Sequence, residues 1–245
     1  MALKEKPIKA VLFDYGNTLV EFGPKQIMYC DMALANALER HFGPADLTKF
    51  REIRQRNRMA PYRRTGAEEY RENDMVEIST SLVRELYGIE PTPEQLADIL
   101  RTRFEVFVRV VQAPDYVFDL LKKLRKKYRL GLLSNYPDGN AIRKTLTQTG
   151  LEGYFQEVVV SADVGVVKPH PTPFITILDR LRVRADETVL VGDNWLADVQ
   201  GGKRAGLRVI LTRQWECPEE QTQNPDDSQP DATISHLTEL ESLLL

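Results

Sequence analysis

From Pro114 onward the sequence alternates between short apolar runs and amphipathic segments, and this alternation restricts the fold more than any other feature. YVFDLLKKLRKKY carries apolar residues at helical spacing, RLGLLSN is a strand-like run, and GNAIRKTLTQTG is helical and closes at Gly150. QEVVVSADV reads as a strand, and PTPFITILDRLRV as a helix with Thr172 as N-cap and Pro173 at its first position. ETVLVGDN, LADVQGGKRAG and LRVILT follow as strand, helix and strand. The polar stretch ECPEEQTQNPDDSQPD is expected to be a loop, before a last strand in DATI and a terminal helix in HLTELESLLL. Strands that are apolar throughout are covered on both faces, so the pattern predicts a parallel sheet between two helical layers. IKAVLFD, ending at Asp14, supplies one more such strand. Ligands of these sheets bind beyond the carboxyl ends of the strands. Asp14, Ser134 with Asn135, and Asp193 all fall at such ends.

Between about Pro24 and Val111 the pattern changes. MYCDMALANALERHF, GAEEYRENDMVEISTSLVRELYG and PEQLADILRTRFEVFVRVV carry apolar residues at helical spacing, punctuated by Pro24, Pro44, Pro61, Pro91 and Pro93. The division expected is a core of residues 1–20 and 112–245 with an all-helical insertion over residues 21–111. A chain of 245 residues buries enough apolar surface to need no staples. Cys30 and Cys217 form neither a disulfide framework nor a zinc motif, which suits a reducing compartment. A net charge of −3 argues against a nucleic-acid partner. No run approaches the roughly 18 apolar residues of a membrane span, and MALKEKPIKA has no apolar signal core. A cytoplasmic location is the expectation, with monomer and homodimer both open.

Four short motifs carry chemistry. In VLFDYGNTLV, Asp14 at a strand end can attack phosphorus, and the turn amides and Thr18 can hold anionic oxygens. Taken alone, an Asx-turn explains it equally well. In LLSN, Ser134 and Asn135 can hydrogen-bond a phosphoryl group, or form an ordinary turn. In VVKPHP, Lys168 can neutralise a carboxylate and a phosphate, or be a solvated loop lysine. In VLVGDNWLADVQGGKRAG, Asp193 and Asp198 offer hard oxygen donors of the kind Mg²⁺ prefers, or Asp198 merely favours its helix's positive end.

In this order on this periodicity, the four motifs resemble the haloacid dehalogenase (HAD) superfamily, over nearly the whole chain. The helical block resembles the C1-type cap of that family's first subfamily. The resemblance implies an α/β fold: a three-layer, Rossmann-like parallel-sheet core with an inserted helical cap. It implies Asp14 as nucleophile and Mg²⁺ ligand, with the Gly16 carbonyl and Asp193 as further ligands and Asp198 in support. Thr18, Ser134 and Asn135 are implied to bind the phosphoryl oxygens, and Lys168 to orient Asp14. The expected reaction is Mg²⁺-dependent hydrolysis of a small phosphorylated metabolite through an aspartyl-phosphate.

One departure matters. HAD phosphatases usually carry a second Asp two positions after the nucleophile as general acid and base, and here that position is Gly16, followed by Asn17 where the family usually has Gly. Losing such a group typically costs about 10²–10⁴-fold in rate. Two alternatives therefore stay open: a 2-haloacid dehalogenase, whose halide product needs no proton, and a non-catalytic binding protein on the same scaffold. The cap's basic stretch holds Arg51, Arg54, Arg56, Arg58, Arg63 and Arg64, which could meet a second anion, although a solvated helix face flanked by Glu52, Glu68 and Glu69 is the plainer reading. Tyr15 and Tyr136, beside motifs, are candidates for the pocket rim. His170 reads as a loop residue and Trp195 as packing at a helix start.

Overall fold

The computed structural model describes residues 7–215 and 227–245. Cys217, most of the expected polar loop and the first six residues lie outside these, as does the side chain of Glu68.

The first strand, Ala10–Phe13 (β1), is fully buried. Four helices follow: Pro24–Phe42 (α1), Leu47–Met59 (α2), Met75–Tyr87 (α3) and Pro93–Val110 (α4). Pro24 and Pro93 sit in first helical turns, where a missing N–H costs nothing. Asp46, Asp74 and Thr92 cap the N-termini of α2, α3 and α4 with side-chain oxygens. The helices enclose an apolar centre of their own, built from Leu34, Leu38, Phe50, Ile53, Leu82, Val83 and Ile99.

Asp115–Leu124 (α5) leads into Arg129–Ser134 (β2), Gly139–Thr149 (α6), Glu157–Val160 (β3), the single turn Ser161–Val164 (α7) and Pro171–Leu181 (α8). Thr188–Gly192 (β4), Gly201–Arg204 (α9), Arg208–Thr212 (β5), Ala232–Ile234 (β6) and Leu240–Leu244 (α10) complete the chain. The six strands form one parallel sheet in the order β3-β2-β1-β4-β5-β6. Side chains alternate across it. Val11 and Phe13 face a cluster shared with α5, α6 and α10, whereas Ala10 and Leu12 face one shared with α8. The result is the three-layer Rossmann-like arrangement expected from the sequence. No helix among the described residues is long and apolar enough to cross a membrane.

Three local expectations are corrected. The strand in QEVVVSADV stops at Val160, because the Asp163 carboxylate accepts from the Val160 N–H and closes a helical turn. Helix α8 starts at Pro171 rather than after Thr172: His170 is the cap, its Nδ1 accepting from the Thr172 N–H at 3.2 Å. The segment before α3 is not continuously helical. Tyr70 takes a positive φ of 58°, and Arg71 forms an antiparallel bridge with Val166.

Candidate active site

Parallel register builds the site. Phe13 pairs with Leu132 on one side and Val191 on the other, so Asp14 emerges level with the ends of β2 and β4. In this strand order the chain turns away in opposite directions from β1 and β4, which opens a crevice at their carboxyl ends. The Asp14 N–H donates to the Val191 carbonyl at 2.9 Å and fixes the start of the loop. Asn17 then adopts a φ of 54°, in the left-handed region that Asn tolerates better than most residues. Its side-chain oxygen accepts from the Phe22 N–H at 3.0 Å, and its own N–H donates to the Val20 carbonyl at 2.7 Å. Among the described residues none donates to the Gly16 carbonyl. Gly16 does not have a positive φ.

Lys168 crosses this crevice. Its ammonium donates to Asp14 Oδ1 at 2.7 Å, to Asp198 Oδ1 at 2.6 Å and to the Leu133 carbonyl at 2.8 Å, using all three protons. Lys168 and Asp198 are each 1% exposed. Burial opposes the ammonium's charge, but the two carboxylates outweigh it and hold the Lys168 pKa above its ordinary value. Burial pushes the Asp14 carboxyl up to about 6; Lys168 pulls it down, and Asp198 adds to the rise. The second oxygen of Asp198 accepts from the Asn194 N–H at 3.0 Å. Both its oxygens are thus engaged, which suits support of a cation better than direct ligation.

Asp14, Asp193 and Asp198 each present a carboxylate oxygen within 4.8 Å of the others. Two of these three carboxylates, Asp14 and Asp198, also hold the Lys168 ammonium. Three hard oxygen donors gathered this closely fit a divalent cation. The buried hydroxyl of Thr18 has no hydrogen-bond partner among the described residues. An orphaned polar atom in the nucleophile's own turn fits an incoming oxygen ligand.

Gly192 is dictated by this packing. A Cβ there would lie 2.3 Å from Asp198 Cγ, so only glycine lets that carboxylate reach Lys168.

Asn135 sits differently from expectation. Its oxygen accepts from the Lys168 N–H at 2.8 Å, and its amide donates to the Lys168 carbonyl at 3.0 Å and to the Tyr62 hydroxyl at 3.0 Å. The side chain clamps the lysine loop, whose Lys168–Pro169 peptide is cis. Ser134 is buried at the end of β2. Tyr15 is not at the rim: it is buried, its hydroxyl donating to Thr145 at 2.8 Å. Tyr136 stacks on Phe107 of α4 at 4.1 Å, where the helical insertion meets the core. Trp195 packs against the cluster behind β4, its indole N–H buried and without a hydrogen-bond partner among the described residues.

Tyr62 and Glu72 of the insertion also touch core residues, with no signal in the sequence. Tyr62 meets Asn135, and burial raises its phenol pKa. Glu72 accepts from the Ser161 hydroxyl, which itself accepts from the Tyr136 N–H. The basic stretch is largely neutralised or solvated: Arg54 pairs with Asp31 at 2.9 Å, Arg56 with Glu85 at 2.5 Å, and Arg64 donates to the Arg71 carbonyl and to Asn73. Arg51, Arg58 and Arg63 are exposed.

A family model described as haloacid dehalogenase-like hydrolase matches residues 8–206. The chain is 31% identical over 156 residues to glyceraldehyde 3-phosphate phosphatase of Methanopyrus kandleri, which is 62% of this chain and 65%, just under two thirds, of that protein. It is 27% identical over 210 residues to the Pyrococcus furiosus protein of the same name, covering 83% of this chain and 80% of the relative. Among solved structures, 2-haloacid dehalogenase from Pseudomonas syringae superposes with a TM-score of 0.72 at 26% identity, covering 97% of this chain and 98% of that one.

Proposed function

The chain belongs to the haloacid dehalogenase-like hydrolase family, and from that premise we propose that it is a Mg²⁺-dependent phosphatase of a small phosphorylated metabolite, with Asp14 as nucleophile. The observation that carries this reading is the close carboxylate trio of Asp14, Asp193 and Asp198, two of which bind Lys168. A dehalogenase of the same fold needs no cation to release halide, whereas this trio gathers the hard oxygen donors a divalent cation takes. That donor set favours phosphoryl chemistry over the dehalogenase reading, although a solved relative carries the latter name.

Asp14, Asp193 and the Gly16 carbonyl would hold Mg²⁺, with Asp198 in support. When bound, the cation offsets the repulsion between an anionic nucleophile and an anionic phosphate. Lys168 holds Asp14 in place and stabilises its ionised form through the bond to Oδ1. Thr18 and Ser134 donate hydroxyl hydrogen bonds to the phosphoryl oxygens. Asn135 acts at one remove by holding the Lys168 backbone. Asp14 forms a bond to phosphorus as the ester P–O bond breaks, and the leaving oxygen takes a proton from water, since Gly16 has none to give. A second water then cleaves the aspartyl-phosphate and regenerates Asp14. The helical insertion would serve as the cap that encloses the substrate, with Tyr62 its nearest reach into the site.

The test is release of inorganic phosphate from a panel of metabolite esters and para-nitrophenyl phosphate, with Mg²⁺ or EDTA. Metal-dependent release that disappears in Asp14→Asn is the expected result. Halide release from a 2-haloacid without metal, or binding of esters without turnover, defeats the proposal.

A further inference from the structure

Arg103 lies on α4 four residues before Phe107, so the two share a helix face. Phe107 stacks on Tyr136, which follows Asn135, the clamp of Lys168. Arg103 therefore stands about one helical turn above the aromatic pair that joins the insertion to the active-site rim. Its guanidinium is half-buried, and its recorded polar contact is a long one, 3.7 Å to the sulfur of Met75, a weak acceptor. Among the described residues no carboxylate lies within ion-pair distance of it. Arg54, whose charge Arg103 feels, already has Asp31 at 2.9 Å. The Asp31 carboxylate is thus shared between two guanidiniums, and one positive charge is left over beside Cys30 and Tyr136.

A half-buried cation without a counter-ion is costly unless something supplies one. Burial, and secondarily the like charge of Arg54, pull the Arg103 pKa down to about 9, so it stays protonated at neutral pH. An anion placed there recovers that cost. Arg103 presents a planar fork of donors, which a planar carboxylate matches bidentately, and a single surplus charge is balanced by a monoanion.

We infer that Arg103, beside the Arg54–Asp31 pair, binds a carboxylate of the substrate, so that the esters turned over are small phosphorylated acids. This rests on the phosphatase reading and narrows its substrate class.

The test uses 2-phosphoglycolate and ethyl phosphate, which differ by the carboxylate, titrated calorimetrically into Asp14→Asn protein with Mg²⁺. Preferential binding of 2-phosphoglycolate is expected. Adding Arg103→Met should weaken it about 10- to 100-fold, the usual worth of charged hydrogen bonds, and leave ethyl phosphate unchanged. Arg103→Lys should fall between the two, because it keeps the charge and loses the fork. The inference is overturned if the two ligands bind alike, if 2-phosphoglycolate does not bind, or if Arg103→Met weakens both equally. The phosphatase reading is judged separately, by Mg²⁺-dependent turnover of para-nitrophenyl phosphate, which carries no carboxylate.

Discussion

Lys168 and Asp14, 154 positions apart in the chain, meet at 2.7 Å in a crevice where the lysine is almost wholly buried. The ammonium binds both Asp14 and Asp198, and the site is organised around that pairing.

Replacing Lys168 by Met leaves Asp14 and Asp198 buried without their partner. Breaking a buried pair from one side typically costs about 3–5 kcal/mol. Denaturant unfolding in EDTA should show a loss of that order, and Mg²⁺ should restore part of it. Wild-type stability in EDTA would mean that the pair is not formed in solution.

The metal-free protein should lose stability with rising pH in a defined window. The folded Asp14 pKa, about 6, lies above its ordinary 3.8. Between those values the folded state holds a proton that the unfolded state has released. Its contribution is complete below about pH 4 and is lost as pH rises through about 6. Mg²⁺ needs the ionised carboxylate, so its effect on melting temperature should grow from pH 5 to pH 7. A Mg²⁺ shift independent of pH contradicts this assignment.

Gly192→Ala puts a methyl 2.3 Å from Asp198 Cγ. Asp198 must move and its bond to Lys168 must lengthen. Misplacement of this kind costs about 10²-fold in rate, while overpacking costs about 1–3 kcal/mol. Measured kcat and Mg²⁺ affinity should both fall in a protein that still melts cooperatively; unchanged values would remove Asp198 from the machinery.

Gly16→Asp should be accepted by the fold. An added Cβ meets Phe22 Cβ at an ordinary 3.5 Å, and the backbone there is not left-handed. The new carboxyl stands where the family's acid and base usually stands. Turnover of alkyl phosphates, whose leaving groups need a proton, should rise by about 10–10²-fold, within the usual range of general acid catalysis. Para-nitrophenyl phosphate should gain little. Equal effects on both would show that protonation does not limit the reaction.

The alternation after Pro114 was enough to place five strands and the run IKAVLFD the sixth, because each strand's burial is written in its own residues. The same holds for the order of Asp14, Ser134, Lys168 and Asp193 along the chain. Their convergence follows once the sheet is parallel, since all strand ends of one kind lie on one side. The turn after Asp14 was also legible, whereas the close approach of Gly192 to Asp198 was not.

Contacts across elements had no such signature. Asn135 reads as a phosphate ligand in LLSN, yet its amide clamps Lys168 and meets Tyr62. Arg54, Arg56 and Arg103 look alike in sequence, yet among the described residues two find carboxylates and one does not. Sequence by itself determined the layers and the motif positions, because hydrophobic periodicity is local. Only the tertiary structure decided which polar side chains satisfy one another. That depends on how each helix is rotated and docked, and no run of neighbouring residues records it.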